Sequence, residues 1–147
     1  MNEVSGEVVV DKRVVSFFHS STNLTLATCV NNIPYCANCF YAYDESKNYL
    51  VFKSDPETNH IRQAIKNNQV AGIILPDKLE KAKIKGIQFN GNFIVWKKED
   101  MESLKNVYYK KYPFARAFSG EMWGIELTYI KMTDNTLGFG KKIEWKK

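Results

Sequence analysis

The segment Lys53-Ser54-Asp55-Pro56-Glu57-Thr58-Asn59-His60 gathers an ammonium, two hydroxyls and an imidazole where an apolar strand pattern gives way to a helical one. A helix N-terminus offers unpaired backbone N–H groups and a dipole that favours negative charge. Together these groups suit a phosphomonoester. Taken alone, the segment reads first as a helix cap with a surface lysine and histidine, and second as a phosphate cradle.

Other chemistries fit less well. Cys36 and Cys39 form a Cys-x-x-Cys, but a closed zinc site needs a second ligand pair, and none follows. Both cysteines fall in a predicted strand, where positions three apart face opposite sides. With Cys29 the count is odd, and the N-terminal stretch does not read as an export signal, so no disulfide framework is expected. No metal site is expected. There is no G-x-S-x-G elbow and no P-loop, and Gly138-Phe139-Gly140 is not a dinucleotide fingerprint. No residue is singled out as catalytic.

The elements that must carry these residues can be read from periodicity. Residues 7–21 predict an amphipathic helix through Val10, Val14 and Phe17 or Phe18. Strands are predicted over Leu24–Val30, Tyr35–Tyr43 and Tyr49–Lys53, joined by polar turns as a meander. A helix with Ile61, Ala64 and Ile65 on its apolar stripe follows Thr58. Then come a strand over Val70–Leu75, a charged and mobile connection over Lys78–Lys85, and a strand over Ile87–Trp96 with Gly91 at a bulge or close approach. A helix over Glu99–Tyr112 is ended by Pro113, with Met101, Leu104, Val107 and Tyr108 on one face. Met122–Met132 returns to strand, Thr133–Gly140 is a loop, and Lys142–Trp145 is a last short strand. The whole reads as a small β-barrel with helices at its strand connections.

The 147 residues, 44% hydrophobic and 25% charged, fit one domain over residues 1–147 and exclude a disordered chain. No apolar run reaches the roughly 18–20 residues of a membrane span. A cytoplasmic protein is expected. The net charge of +5 favours an anionic ligand. Lysines cluster at Lys78, Lys81, Lys83 and Lys85 and at Lys141, Lys142, Lys146 and Lys147, but without a recognition signature they read as a solvated face, and nucleic acid is disfavoured.

Four segments carry a resemblance: residues 34–41, residues 50–54 with Thr58-x-His60, residues 86–91, and residues 133–142. On these the chain resembles the pyridoxamine-5'-phosphate-oxidase-like FMN-binding split-barrel superfamily, and within it a small bacterial branch. The resemblance implies a mainly β, six-stranded antiparallel split barrel with peripheral helices, dimeric, with FMN at the subunit interface. It implies phosphate contacts from Lys53, Ser54, Thr58 and His60, where His60 stands in place of the family's lysine. It implies Asn38 and Gln88 for the ring or ribityl chain, and Thr133, Asn135 and Lys141 reaching from the partner subunit. The arginine and histidine that clamp substrate in the oxidases are absent, so pyridoxamine phosphate is not the expected substrate. The expected function is FMN binding with flavin-dependent oxidoreductase activity on a small molecule. The alternative is a non-catalytic binder of a flavin, a B6 vitamer, haem or a similar planar cofactor.

Overall fold

The computed structural model describes residues 9–137 and 141–147. The first helix, α1 (Lys12–Ser20), starts later than its periodicity suggested because Asp11 caps it. The Asp11 carboxylate accepts the Arg13 backbone N–H at 2.8 Å. Three strands follow as a meander: β1 (Asn23–Val30), β2 (Ile33–Asp44) and β3 (Tyr49–Ser54). Asn31 and Asn32, both left-handed, make the two-residue turn between the first two. Then come α2 (Asn59–Lys66), β4 (Gln69–Ile74), β5 (Lys85–Ile94), α3 (Met101–Lys111), a short 3-10 turn (Pro113–Ala117), β6 (Glu121–Asp134) and β7 (Lys142–Lys146).

All the strand pairs are antiparallel, in the order β3-β2-β1-β4-β5-β6-β7, and β3 also pairs with β6. Six strands thus close a ring, the split barrel that the resemblance implied. β6 is long enough to serve two neighbours on one edge. Its first half pairs with β3 up to Glu126, and its second half pairs with β7 from Tyr129. The register of β5 against β6 shifts between Asn90 and Gly91, the bulge expected at that glycine. A Cβ at Gly91 would lie 2.5 Å from the Glu126 carbonyl oxygen.

Strand alternation divides the side chains between two cores. Leu24, Leu26, Tyr41, Phe52, Ile87, Phe89 and Ile125 fill the barrel, joined by Val14, Phe17 and Phe18 of α1 and Ile61 and Ala64 of α2. Each large apolar side chain so buried contributes roughly 1.5–3 kcal/mol. Ile65, expected on the same stripe, faces solvent instead. A second core forms outside the ring, where Leu104, Tyr108 and Tyr112 pack on Ala42, Val51 and Met122.

Two connections differ from expectation. β6 runs on to Asp134, whose carboxylate accepts the Thr136 N–H and hydroxyl and so turns the chain into a 3-10 turn. The connection before β5 is pinned at its end: the Asn135 amide accepts from Ile84 N–H at 3.0 Å and donates to the Ala82 carbonyl at 3.2 Å. Gly138, Phe139 and Gly140 lie outside the described residues. Among the described residues, no helix is long and apolar enough to cross a membrane.

Candidate functional site

β2 and β3 pair from Asp44↔Tyr49 to Tyr41↔Phe52 and then part. The His60 ring stands in the opening. Its Nε2 lies 2.8 Å from the Ser54 hydroxyl, 3.4 Å from the Thr58 hydroxyl and 4.0 Å from Cys39 Sγ. Alternation explains the arrangement. Ser54 follows Phe52 on the inward face of β3, and Cys39 precedes Tyr41 on the inward face of β2. Burial lowers the pKa of His60 from its ordinary value of 6.5.

The N-terminus of α2 faces this cluster with its cap residue otherwise engaged. The Thr58 hydroxyl donates to the Asp55 carbonyl at 2.8 Å, and no side chain caps the helix. The first-turn N–H groups of α2 therefore keep their capacity for an acceptor. No acidic residue stands in that turn, and Glu57 before it pairs with Arg62 at 2.5 Å.

Lys53 does not join Ser54, Thr58 and His60. It follows Val51 on the opposite face of β3, under α3. Its ammonium donates to the Tyr109 hydroxyl at 2.8 Å and to the carbonyls of Ala115 and Phe118. The alternation of β3 carried that information, because adjacent strand residues cannot share a face.

Asn38 and Gln88 lie on the outer face of the sheet. The registers align Asn38, Thr25, Ile73, Gln88, Lys131 and Glu144 in one row across six strands. Three strand spacings separate Asn38 from Gln88, roughly 14 Å. They therefore flank an area rather than share a contact. Between them runs an open groove of about 330 Å³, with Thr25, Cys36, Ile73 and Gln88 on its walls. The Asn38 amide oxygen accepts from the Thr25 hydroxyl at 2.9 Å. Asn38 is next in sequence to Cys39 but takes the other face of β2, so the groove lies on the outer side of the strand and the His60 cluster on its inner side.

Thr133, Asn135 and Lys141 are grouped at the far end of β6. Thr133 faces outward opposite Gly86 and Lys142, and Lys141 is exposed. The Asn135 side chain serves its own chain, as described above. Sequence reasoning missed Cys39 as a neighbour of His60 and Trp123, whose indole N–H donates to the Ser54 carbonyl at 2.9 Å. Both contacts are long-range and leave no local signal.

No family model matches the chain. A UPF0306 protein of Cronobacter sakazakii is 40% identical over 119 residues, 80% of this chain and 83% of that protein. A UPF0306 protein of Yersinia pseudotuberculosis is 35% identical over 129 residues, 88% of each. Among solved structures, a heme binding protein from Mycobacterium smegmatis matches 95% of this chain with a TM-score of 0.75 at 13% identity, and the chain spans 60% of that protein's length. A FAD-binding protein from Mesorhizobium loti matches 86% of this chain and 95% of its own, with a TM-score of 0.67 at 14% identity. At these identities the structures share a fold with the chain, that of the pyridoxamine-5'-phosphate-oxidase-like split barrels.

Proposed function

The chain belongs to the UPF0306 family, and we propose that it binds FMN as a cytoplasmic homodimer and uses it in oxidoreductase chemistry on a small molecule. The observation that carries this reading is the convergence of Ser54, Thr58 and His60 at the uncapped start of α2, where β2 and β3 part.

The donor set fits a phosphate. Ser54 offers a hydroxyl, α2 offers backbone N–H groups, and a protonated His60 offers a charge-assisted hydrogen bond, while Thr58, its hydroxyl bound to the Asp55 carbonyl, borders the site. Asn38 and Gln88 flank the groove in which a flat ring would lie. A second copy of the chain would cover that open face and bring Thr133 and Lys141 toward it. FMN, when bound, supplies the redox chemistry, and the chain supplies binding, orientation and electrostatics. Haem is less well served: His60 is engaged with hydroxyls at the rim, and His19 pairs with Glu45 at 3.2 Å, away from the groove.

The test is the visible spectrum of the purified protein, before and after incubation with FMN and gel filtration. A flavin band that co-elutes at dimer size is the expected result. Addition of NAD(P)H then separates an enzyme, in which the band bleaches, from a carrier, in which it does not. A colourless protein overturns the FMN reading.

A further inference from the structure

In the phosphate reading the Ser54 hydroxyl and the His60 imidazole act as separate donors. Their contact with each other supports a different chemistry. A serine hydroxyl 2.8 Å from an imidazole nitrogen has the geometry of a nucleophile beside its base. Ser54 ends β3 and His60 lies in the first turn of α2, so two regular elements hold the pair. The strand end is fixed in turn. Ser54 stands opposite Glu121 in the ladder with β6, and the Trp123 indole N–H donates to the Ser54 carbonyl at 2.9 Å.

The surroundings suit the role. Ser54 and His60 are both partly exposed where β2 and β3 part, so a small molecule can reach the hydroxyl. Burial lowers the His60 pKa below 6.5, which leaves the ring neutral at pH 7. With the ring proton on Nδ1, Nε2 accepts the Ser54 hydrogen. Two other groups near this nitrogen do not compete. The Thr58 hydroxyl gives its hydrogen to the Asp55 carbonyl. Cys39 Sγ lies 4.0 Å away, and burial pushes its thiol up to about 12, so it stays protonated. The first-turn N–H groups of α2 face the cluster and can receive the charge that builds on a carbonyl oxygen under attack.

We propose that Ser54 and His60 form a nucleophile–base pair that hydrolyses small activated esters when no phosphate occupies the site. Ser54 Oγ attacks the ester carbonyl carbon while its proton passes to His60 Nε2. The bond to the alcohol oxygen then breaks, and His60 gives that oxygen the proton, leaving an acyl group on Ser54. Water attacks this acyl group by the same proton route, releasing the carboxylic acid and restoring the hydroxyl. One ester and one water give one acid and one alcohol, with no change of oxidation state.

The experiment uses the full-length protein freed of flavin by dialysis, with the absence of a visible band as the check. It measures p-nitrophenol release from p-nitrophenyl acetate. It also maps labelling by an alkyl fluorophosphonate on tryptic peptides, where Ser54 is the one serine of residues 54–62. The expected result is a single phosphonylated serine, Ser54, and an esterase rate that rises with pH and levels off above about 6.5. Ser54→Ala should abolish both reactions, and His60→Gln should slow both by about a hundredfold, with circular dichroism as the control for the fold. The proposal is overturned if His60→Gln reacts at the unsubstituted rate, or if other serines are labelled as fast as Ser54. Flavin binding by a protein whose Ser54 resists labelling overturns this proposal alone. A labelled Ser54 in a protein that takes up no FMN upholds it and overturns the flavin reading.

Discussion

His60 and Ser54 meet where the barrel opens, with imidazole Nε2 2.8 Å from the hydroxyl oxygen. The contact spans the gap between the end of β3 and the first turn of α2, and Cys39 of β2 lies on its other side. A ligand phosphate placed here would replace the imidazole as the partner of Ser54 and accept a charge-assisted hydrogen bond from a protonated His60.

That exchange predicts a pH dependence with a definite sign. In the empty protein, burial lowers the His60 pKa below 6.5, so the unfolded chain binds the proton more readily. Empty protein should therefore lose stability as pH falls through about 6.5. A bound phosphate favours the imidazolium and reverses the sign. FMN affinity should rise as pH falls from about 8 toward 6, by at most about tenfold per unit for one linked proton. Flavin fluorescence titrations of the protein and of His60→Gln check this. The variant should bind more weakly and keep only the slope due to the phosphate's own titration. An identical slope in both would remove His60 from the phosphate site.

The hydroxyls can be tested apart from the charge. Ser54→Ala removes the one hydroxyl donor of the pair that is free for a phosphate, because the Thr58 hydroxyl donates to the Asp55 carbonyl. A hydrogen bond to a charged group is worth roughly 1.5–3 kcal/mol, so FMN affinity should fall by about ten- to a hundredfold. Equilibrium dialysis reads the loss, and circular dichroism controls for the fold.

Lys53 gives the opposite pattern. Its ammonium is held by Tyr109, Ala115 and Phe118, so it ties β3 to α3 and the turn after it. Lys53→Met should lower stability by about 1–2 kcal/mol, because the carbonyls lose a cationic donor at a half-exposed site. FMN affinity should change less than twofold. Urea denaturation and flavin titration of the same variant distinguish a structural lysine from a phosphate ligand.

These contrasts show what was legible in the chain. The periodicities of β1 to β6 and the turns at Asn31 and Asn48 were local signals, and the order of elements followed from them. Ser54, Thr58 and His60 lie close together in sequence at a strand–helix junction, so their meeting was also a local matter. Lys53 is adjacent to Ser54 in sequence but takes the other face of β3, which a motif read along the chain does not register. Asn135 holds Ile84 and Ala82, a contact between distant parts of the chain that only the closed sheet creates and that leaves no local signal.

Gly91 tests the barrel's closure. A Cβ there would lie 2.5 Å from both the Glu126 carbonyl oxygen and Ile125 Cγ2, where β5 slips against β6. The backbone of β6 cannot yield without disturbing its pairing with β3. Gly91→Ala should destabilise the fold by roughly 1–3 kcal/mol, the usual range for overpacking. Thermal denaturation would show it as a lower midpoint.

Ile73 is 44% exposed on the groove wall, in the row that joins Thr25 to Gln88. In an isolated chain, an exposed isoleucine on a central strand gains little, and a lysine there would be tolerated to within about 0.5 kcal/mol. In a dimer that closes over this face, the same lysine would place two charges in an apolar contact without partners. Ile73→Lys should therefore leave the fold of the chain intact while abolishing both dimer formation and FMN retention. Light scattering coupled to gel filtration reads the first and the visible band reads the second. If the dimer persists and only FMN is lost, the groove serves the ligand but the subunits meet elsewhere. If FMN is retained by a monomer, the partner subunit contributes nothing essential to the site.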